Sequence, residues 1–204
     1  MDLKQELEEF NQSIEEIDPD FFNFHILRFD APSTDEQLGL LQERCNISIP
    51  EDLKDFYLQY GGLERNEKYS ECYLEIPGVS KVLKLLNSIG ELASLGLIDG
   101  IKHSWGNDRW EFEEDEFFSS AELQSLNDKY KFFGLYRPDL ERAHYLYFDQ
   151  QGNFGELFYD QDLFDDAETE LRSMLLKSPA SLDFHSLLKN GLQALLEFRR
   201  DAAE

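Results

Sequence analysis

Residues 45–62 have the sequence CNISIPEDLKDFYLQYGG, which predicts a short amphipathic helix. The large apolar side chains that recur at helical spacing, and therefore share one face, are Leu53, Phe56, Tyr57 and Tyr60. Pro50 suits the first turn, because the N–H that proline lacks has no helical partner there. Gly61 follows the last periodic residue, where a left-handed closing conformation favours glycine. The stretch therefore predicts a helix that starts beside Pro50 and ends at Gly61.

The residues before this helix carry further signals. Ser48 and Glu51 have the spacing of a capping box, and Asp52 adds negative charge at the positive end of the helix dipole. Ile47 and Ile49 form an apolar alternation that ends at the proline. We therefore expect a helix with a side-chain cap and an acidic first turn.

This combination resembles the signature of the SMI1/KNR4 (SUKH) superfamily. The residues that carry the resemblance are Ile49, Pro50, Leu53, Phe56, Tyr57, Gly61 and Gly62. The resemblance covers residues 33–200 and implies a single α+β domain, in which an antiparallel β-sheet packs with N-terminal and C-terminal helices. Residues 1–32 are predicted to be an extension made of a helix and an extended segment. We interpret the signature residues as determinants of the fold.

Composition sets the broad class of the protein. A chain of 204 residues with 41% hydrophobic residues fits one domain with a sizeable core. The formal net charge of −24 gives a surface that repels nucleic acid and anionic membranes and attracts basic partners. Cys45 and Cys72 lack a CxxC spacing and are expected to be reduced thiols. No signal peptide and no membrane span of ~18 apolar residues is evident, so we expect a cytoplasmic protein.

Periodicity predicts helices near both ends of the chain. Residues 2–17 have helical spacing, residues 21–29 alternate as a strand or extended segment, and a Ser33–Glu36 capping box starts the next helix. Residues 82–86 allow either a strand followed by a short helix from Ser88 or part of one continuous helix. We prefer the strand, because Gly90 is a poor residue for the middle of a long helix and the superfamily resemblance implies the same arrangement.

Strand patterns dominate the second half of the chain. The predicted strands cover residues 71–76, 130–136, 144–148 and 154–159. Gly152 supplies the backbone conformation that a hairpin loop needs between the last two strands. Residues 97–129 form a long insert, in which we predict only a short helix around residues 121–126. The chain is predicted to be helical again from Asp162, with a break at Pro179.

No motif predicts catalysis, a cofactor or a metal site. The histidines are dispersed without HxxxH or HExxH spacing: His25, His103, His144 and His185. An EF-hand loop starting at Asp160 would need Gly and Glu where the chain has Asp165 and Leu171. Carboxylates are too numerous for any pair to indicate a glycosidase. We therefore expect a binding protein rather than an enzyme, with neither metal nor cofactor.

The insert contains the best candidate for a partner interface. Interfaces take most of their energy from a few buried aromatic residues, while charges at the rim steer the encounter. The candidate residues combine both types: Trp105, Trp110, Glu111, Glu113, Glu114, Asp115 and Glu116. The alternative is that both tryptophans only hold the insert against the core.

The superfamily resemblance implies a function in bacteria. It implies an immunity protein that binds and neutralises a polymorphic or contact-delivered toxin. Many such toxins are nucleases with basic active sites, and an acidic inhibitor would imitate the phosphates that those sites attract. The expected partner is therefore a protein toxin, not nucleic acid or membrane. The alternatives are a regulatory interaction module, like the fungal relatives linked to cell-wall synthesis, and a hydrolase that uses surface carboxylates.

Overall fold

The computed structural model describes residues 2–20, 22–66, 72–88, 92–105, 117–160 and 164–203. Its helices are α1 (Leu3–Ile17), α2 (Phe22–His25), α3 (Asp35–Cys45), α4 (Glu51–Tyr60), α5 (Val79–Leu85), α6 (Leu97–Trp105), α7 (Ser120–Lys129), α8 (Phe164–Leu176) and α9 (Phe184–Ala203). Its strands are β1 (Leu27–Phe29), β2 (Leu63–Arg65), β3 (Tyr73–Glu75), β4 (Tyr130–Arg137), β5 (Arg142–Asp149) and β6 (Phe154–Asp160). This mixture of helices and antiparallel strands in one domain confirms the predicted α+β fold.

The main sheet is antiparallel and has the strand order β3-β4-β5-β6. Its two faces are covered by different sets of helices, so most residues of β4 and β5 are buried. Phe56 of α4 and Leu188 of α9 belong to the core cluster on one face, with Phe133 of β4. Leu126 of α7 and Leu171 of α8 belong to the cluster on the other face. A β-bulge in β4 shifts the register between Phe132 and Gly134, beside the edge of the short strand β3.

The helix predicted from residues 45–62 is confirmed as α4. Leu53, Phe56 and Tyr57 are buried, and Gly61 closes the helix with a φ of +74°. The predicted capping box of Ser48 and Glu51 is wrong, since Pro50 is the N-cap and no side chain caps the helix. Proline therefore stands one position before the first helical turn, where its fixed φ and extended ψ direct the chain into α4.

Two predicted strands are wrong or only partly right. Residues 82–86 are not a strand, because Val79 and Val82 are buried at helical spacing in α5, which starts after Gly78. Residues 22–25 form the short helix α2, and only Leu27–Phe29 is a strand. That strand pairs with β2, a strand that the sequence pattern did not predict.

The remaining elements agree more closely with the sequence. The helix over residues 2–17 is confirmed as α1, which packs against α9. The predicted cap of α3 is wrong by one position, since the capping box is Thr34 with Gln37. The β5–β6 hairpin is confirmed, and Gly152 has a φ of +84°. The insert is more regular than expected, because it contains α6 as well as α7.

The helices that the structure describes include none that is long and apolar enough to cross a lipid bilayer.

Candidate functional site

The interface predicted from the insert falls almost wholly outside the described residues. Trp105 is the last residue of α6. The other members of the candidate set, which lie outside the described residues, are Trp110, Glu111, Glu113, Glu114, Asp115 and Glu116. This part of the predicted interface therefore stays a prediction.

Exposed carboxylates are dense on the outer faces of α1 and α4, and we refer to these two faces together as the α1/α4 acidic surface. Its exposed carboxylates are Asp2, Glu8, Glu9, Glu15, Glu16, Glu51, Asp52 and Asp55. Lys4 is exposed on α1. Lys54 of α4 forms an ion pair with Glu51, in which the ammonium nitrogen lies 4.0 Å from the carboxylate. Acidic side chains therefore outnumber basic ones by a wide margin on both helices. The sequence carried a signal for this surface, because the apolar period of each helix leaves its acids on the outer side.

Contacts at their ends join α1 to α4 and α9. The side chain of Tyr60 at the end of α4 hydrogen-bonds with that of Asp2, the N-cap of α1. Burial, together with the Asp2 carboxylate, raises the pKa of Tyr60. Glu6 of α1 lies 3.1 Å from the imidazole of His185 at the start of α9. These contacts fix the start of α1 beside the end of α4, although Asp2 and Tyr60 are 58 positions apart in the sequence.

The sheet also carries a polar cluster beneath α9. Tyr136 donates a hydrogen bond of 3.0 Å to Glu156, and the imidazole of His144 lies 3.8 Å from the same carboxylate oxygen. The rings of Tyr136 and His144 stack with a centroid distance of 4.2 Å. Gly191 of α9 packs so closely over Tyr136 that a Cβ there would lie 3.1 Å from the ring.

The protonation states of this cluster follow from its burial. Burial, with a smaller effect from Arg142, lowers the pKa of His144 to about 4. Burial also raises the pKa of Glu156, and the hydrogen bond from Tyr136 opposes that shift. His144 is therefore neutral at neutral pH. Because α9 covers Tyr136, we interpret the cluster as a link between sheet and helix rather than as a catalytic site.

The two cysteines are poor nucleophiles. Cys45 is half-buried and Cys72 is buried, and both are reduced thiols. Burial raises the pKa of Cys45 and raises that of Cys72 to about 11, so both are protonated at neutral pH. Across the described ranges, no three His, Cys, Asp or Glu side chains are placed to hold a metal ion.

Comparison with known proteins adds no relative. No family model matches the chain, and neither a curated protein nor a solved structure matches it. The SMI1/KNR4 resemblance therefore depends on the signature residues alone.

Proposed function

We propose that this protein is an immunity-type inhibitor, which binds a protein toxin with a basic active site and neutralises it in the cytoplasm. The observation that carries the proposal is the α1/α4 acidic surface, where exposed carboxylates far outnumber lysines on two helices that meet at Tyr60 and Asp2. The resemblance to the SMI1/KNR4 superfamily favours the same function.

The physical reason lies in the electrostatic field of the chain. A net charge of −24 produces a negative potential that speeds encounter with a cationic partner, and salt weakens this effect. A nuclease active site is cationic because it must bind phosphates, so an acidic surface competes with the substrate for the same field. The signature residues Phe56 and Tyr57 are buried, so their role is to hold α4 in place beneath this surface.

Binding is favoured over catalysis by the state of the reactive groups. Cys45 and Cys72 have raised thiol pKa values, and α9 packs over Tyr136 in the His144 cluster. The abundant carboxylates of α1 and α4 are exposed and therefore fit a steering role.

A growth-protection assay tests the proposal directly. The chain is co-expressed in bacteria with each candidate toxin encoded by a reading frame next to its gene. We expect the intact chain to restore growth and to form a stable complex with the purified toxin. Growth arrest despite full expression of the folded chain, with no complex in solution, would refute the proposal.

Charge-reversal variants then test the α1/α4 acidic surface. Glu8→Lys with Glu15→Lys should slow association with the toxin about tenfold at low salt, because steering changes association rates by ~10-fold or more. The matched control is Asp165→Lys with Asp166→Lys, which changes the charge equally at exposed positions of α8. Equal slowing by both pairs in stopped-flow experiments would show that only net charge matters.

The candidate residues of the insert are tested in the same assay. Reversing Glu113, Glu114 and Glu116 to Lys should slow association, and the loss should shrink as salt rises. Trp110→Ala should instead speed dissociation without unfolding the protein. Unchanged association in the triple reversal, or loss of the fold in Trp110→Ala, would assign these residues a structural role.

A further inference from the structure

A large cavity lies beside β4, between the sheet and the helices α4 and α5. Its volume is ≈ 490 Å³, which falls within the range of small-molecule binding sites and far exceeds the voids of ordinary packing. Its wall is mostly apolar and includes Leu53, Val82, Leu95, Phe132, Phe133 and Phe148. Such a wall loses van der Waals contacts beside empty space and offers few hydrogen bonds to water. The cavity therefore suits an occupant with a large apolar body.

The charges at the cavity balance one another. Its two cations are Arg65 and Lys81. The ammonium nitrogen of Lys81 lies 2.5 Å from the carboxylate of Glu75 and 3.2 Å from that of Glu64. The guanidinium of Arg65 is stacked on the ring of Tyr73, with its carbon 4.0 Å from the ring centre. Two carboxylates thus offset two cations. A charged ligand would lose its hydration here without meeting an uncompensated opposite charge, so the cavity favours an uncharged one.

Tyr57 gives the cavity a free hydrogen-bonding group. It belongs to α4, lines the cavity and is only 3% exposed. Within the described ranges its hydroxyl has no hydrogen-bond partner. Burial raises the pKa of Tyr57, so the hydroxyl stays protonated and can donate at neutral pH. A buried hydroxyl without a partner costs free energy, and a ligand that accepts a hydrogen bond from it would recover that cost.

Two further polar side chains, at the end of α6, already have partners. The hydroxyl of Ser104 lies 3.0 Å from the carbonyl oxygen of Ile101 and 2.9 Å from the hydroxyl of Tyr145. His103, which also lines the cavity, has an interaction of its own. We therefore expect the hydroxyl of Tyr57 to orient a bound molecule.

We propose that this cavity binds an uncharged organic molecule, whose apolar body occupies the Leu- and Phe-lined space and whose carbonyl or ether oxygen accepts a hydrogen bond from Tyr57. The apolar wall selects for the body, and the balanced charges select against an ionised head group. This site goes beyond the proposed inhibition of a toxin and does not depend on it.

The test uses 6-propionyl-2-(dimethylamino)naphthalene, an uncharged ketone whose fluorescence shifts to the blue in apolar surroundings. We expect saturable binding of one molecule per chain. Three competitors share the naphthalene ring and differ in one group: 2-acetylnaphthalene, 2-ethylnaphthalene and 2-naphthoate. The naphthoate should displace the probe at least tenfold more weakly than the acetyl compound, because its carboxylate is charged.

Tyr57→Phe tests the hydrogen bond, because it removes the hydroxyl and keeps the ring. It should weaken displacement by 2-acetylnaphthalene about fivefold, the effect of one neutral hydrogen bond, and leave displacement by 2-ethylnaphthalene unchanged. The matched control is Tyr147→Phe, since Tyr147 is buried in the core on the other face of the sheet and does not line the cavity. It should leave all three affinities unchanged.

Leu85→Trp, which adds volume at a half-buried lining position, should abolish probe binding. Thermal unfolding and near-UV circular dichroism verify the fold of each variant. Non-saturable binding, equal displacement by the naphthoate and the acetyl compound, unchanged binding in Leu85→Trp, or an equal effect of Tyr57→Phe on the acetyl and ethyl compounds would overturn the proposal. If Tyr57→Phe does not fold, the naphthoate comparison and Leu85→Trp decide the question.

Discussion

Gly61 closes α4 at a point where the chain has no room for a side chain. Its φ is +74°, and a Cβ built on it would lie 1.9 Å from the carbonyl oxygen of Ala31 and 2.4 Å from the carbonyl carbon. Both groups are backbone, so neither can rotate away. We therefore predict that Gly61→Ala destabilises the protein strongly.

The magnitude follows from two costs. A non-glycine residue in this backbone region costs about 1–3 kcal/mol. Moving the segment around Ala31 also strains two hydrogen bonds, from the Asp30 N–H to Gly62 at 3.1 Å and from the Ser33 N–H to Tyr57 at 2.9 Å. Each contributes about 1 kcal/mol net, so Gly61→Ala should lower the free energy of unfolding by about 3–5 kcal/mol in total.

Urea unfolding followed by circular dichroism measures this change. With a slope of about 3 kcal/mol/M, the midpoint should fall by about 1–2 M. The control is Gly39→Ala on the exposed side of α3, where a Cβ meets nothing within 4 Å. It should stabilise the protein by about 0.5–1 kcal/mol, because alanine is the better helix former. An unchanged midpoint in Gly61→Ala, or equal losses in both variants, would refute the reasoning.

Two further predictions concern buried rings. Phe56 is 3% exposed, and its ring centre lies 5.4 Å from that of Phe184. Phe56→Ala should therefore lower the free energy of unfolding by ~3–5 kcal/mol. An unchanged melting temperature would contradict this prediction. Burial lowers the pKa of His144 from 6.5 to about 4, so between these values the unfolded chain binds a proton that the folded protein does not, and stability falls as the pH drops. His144→Phe keeps a ring stacked on Tyr136 but cannot bind the proton, so it should remove up to about 3 kcal/mol of this loss. In urea unfolding at pH 7 and pH 4.5, the free energy of unfolding should therefore change less with pH in the variant than in the wild type.

Part of the candidate sites could be predicted from the sequence. The acidic residues of α1 and α4 could be assigned to the outer sides of helices, because amphipathic periodicity separates acids from apolar side chains. That Tyr60 and Asp2 bring these helices together could not be predicted, because the contact spans most of the N-terminal third of the chain. A cavity of ≈ 490 Å³ beside β4 could not be predicted from the sequence either, because the residues that line it come from separate segments between Leu41 and Phe148.

The sequence by itself determined the elements whose signals are local. α1, α4 and the β5–β6 hairpin depend on periodicity and on two glycines, Gly61 and Gly152, with positive φ, and these act within a few residues. Only the tertiary structure decided that residues 79–85 form a helix, that β1 pairs with β2, and that the sheet separates two cores. A short apolar run fits a strand or a helix almost equally well, so contacts with distant segments make the choice.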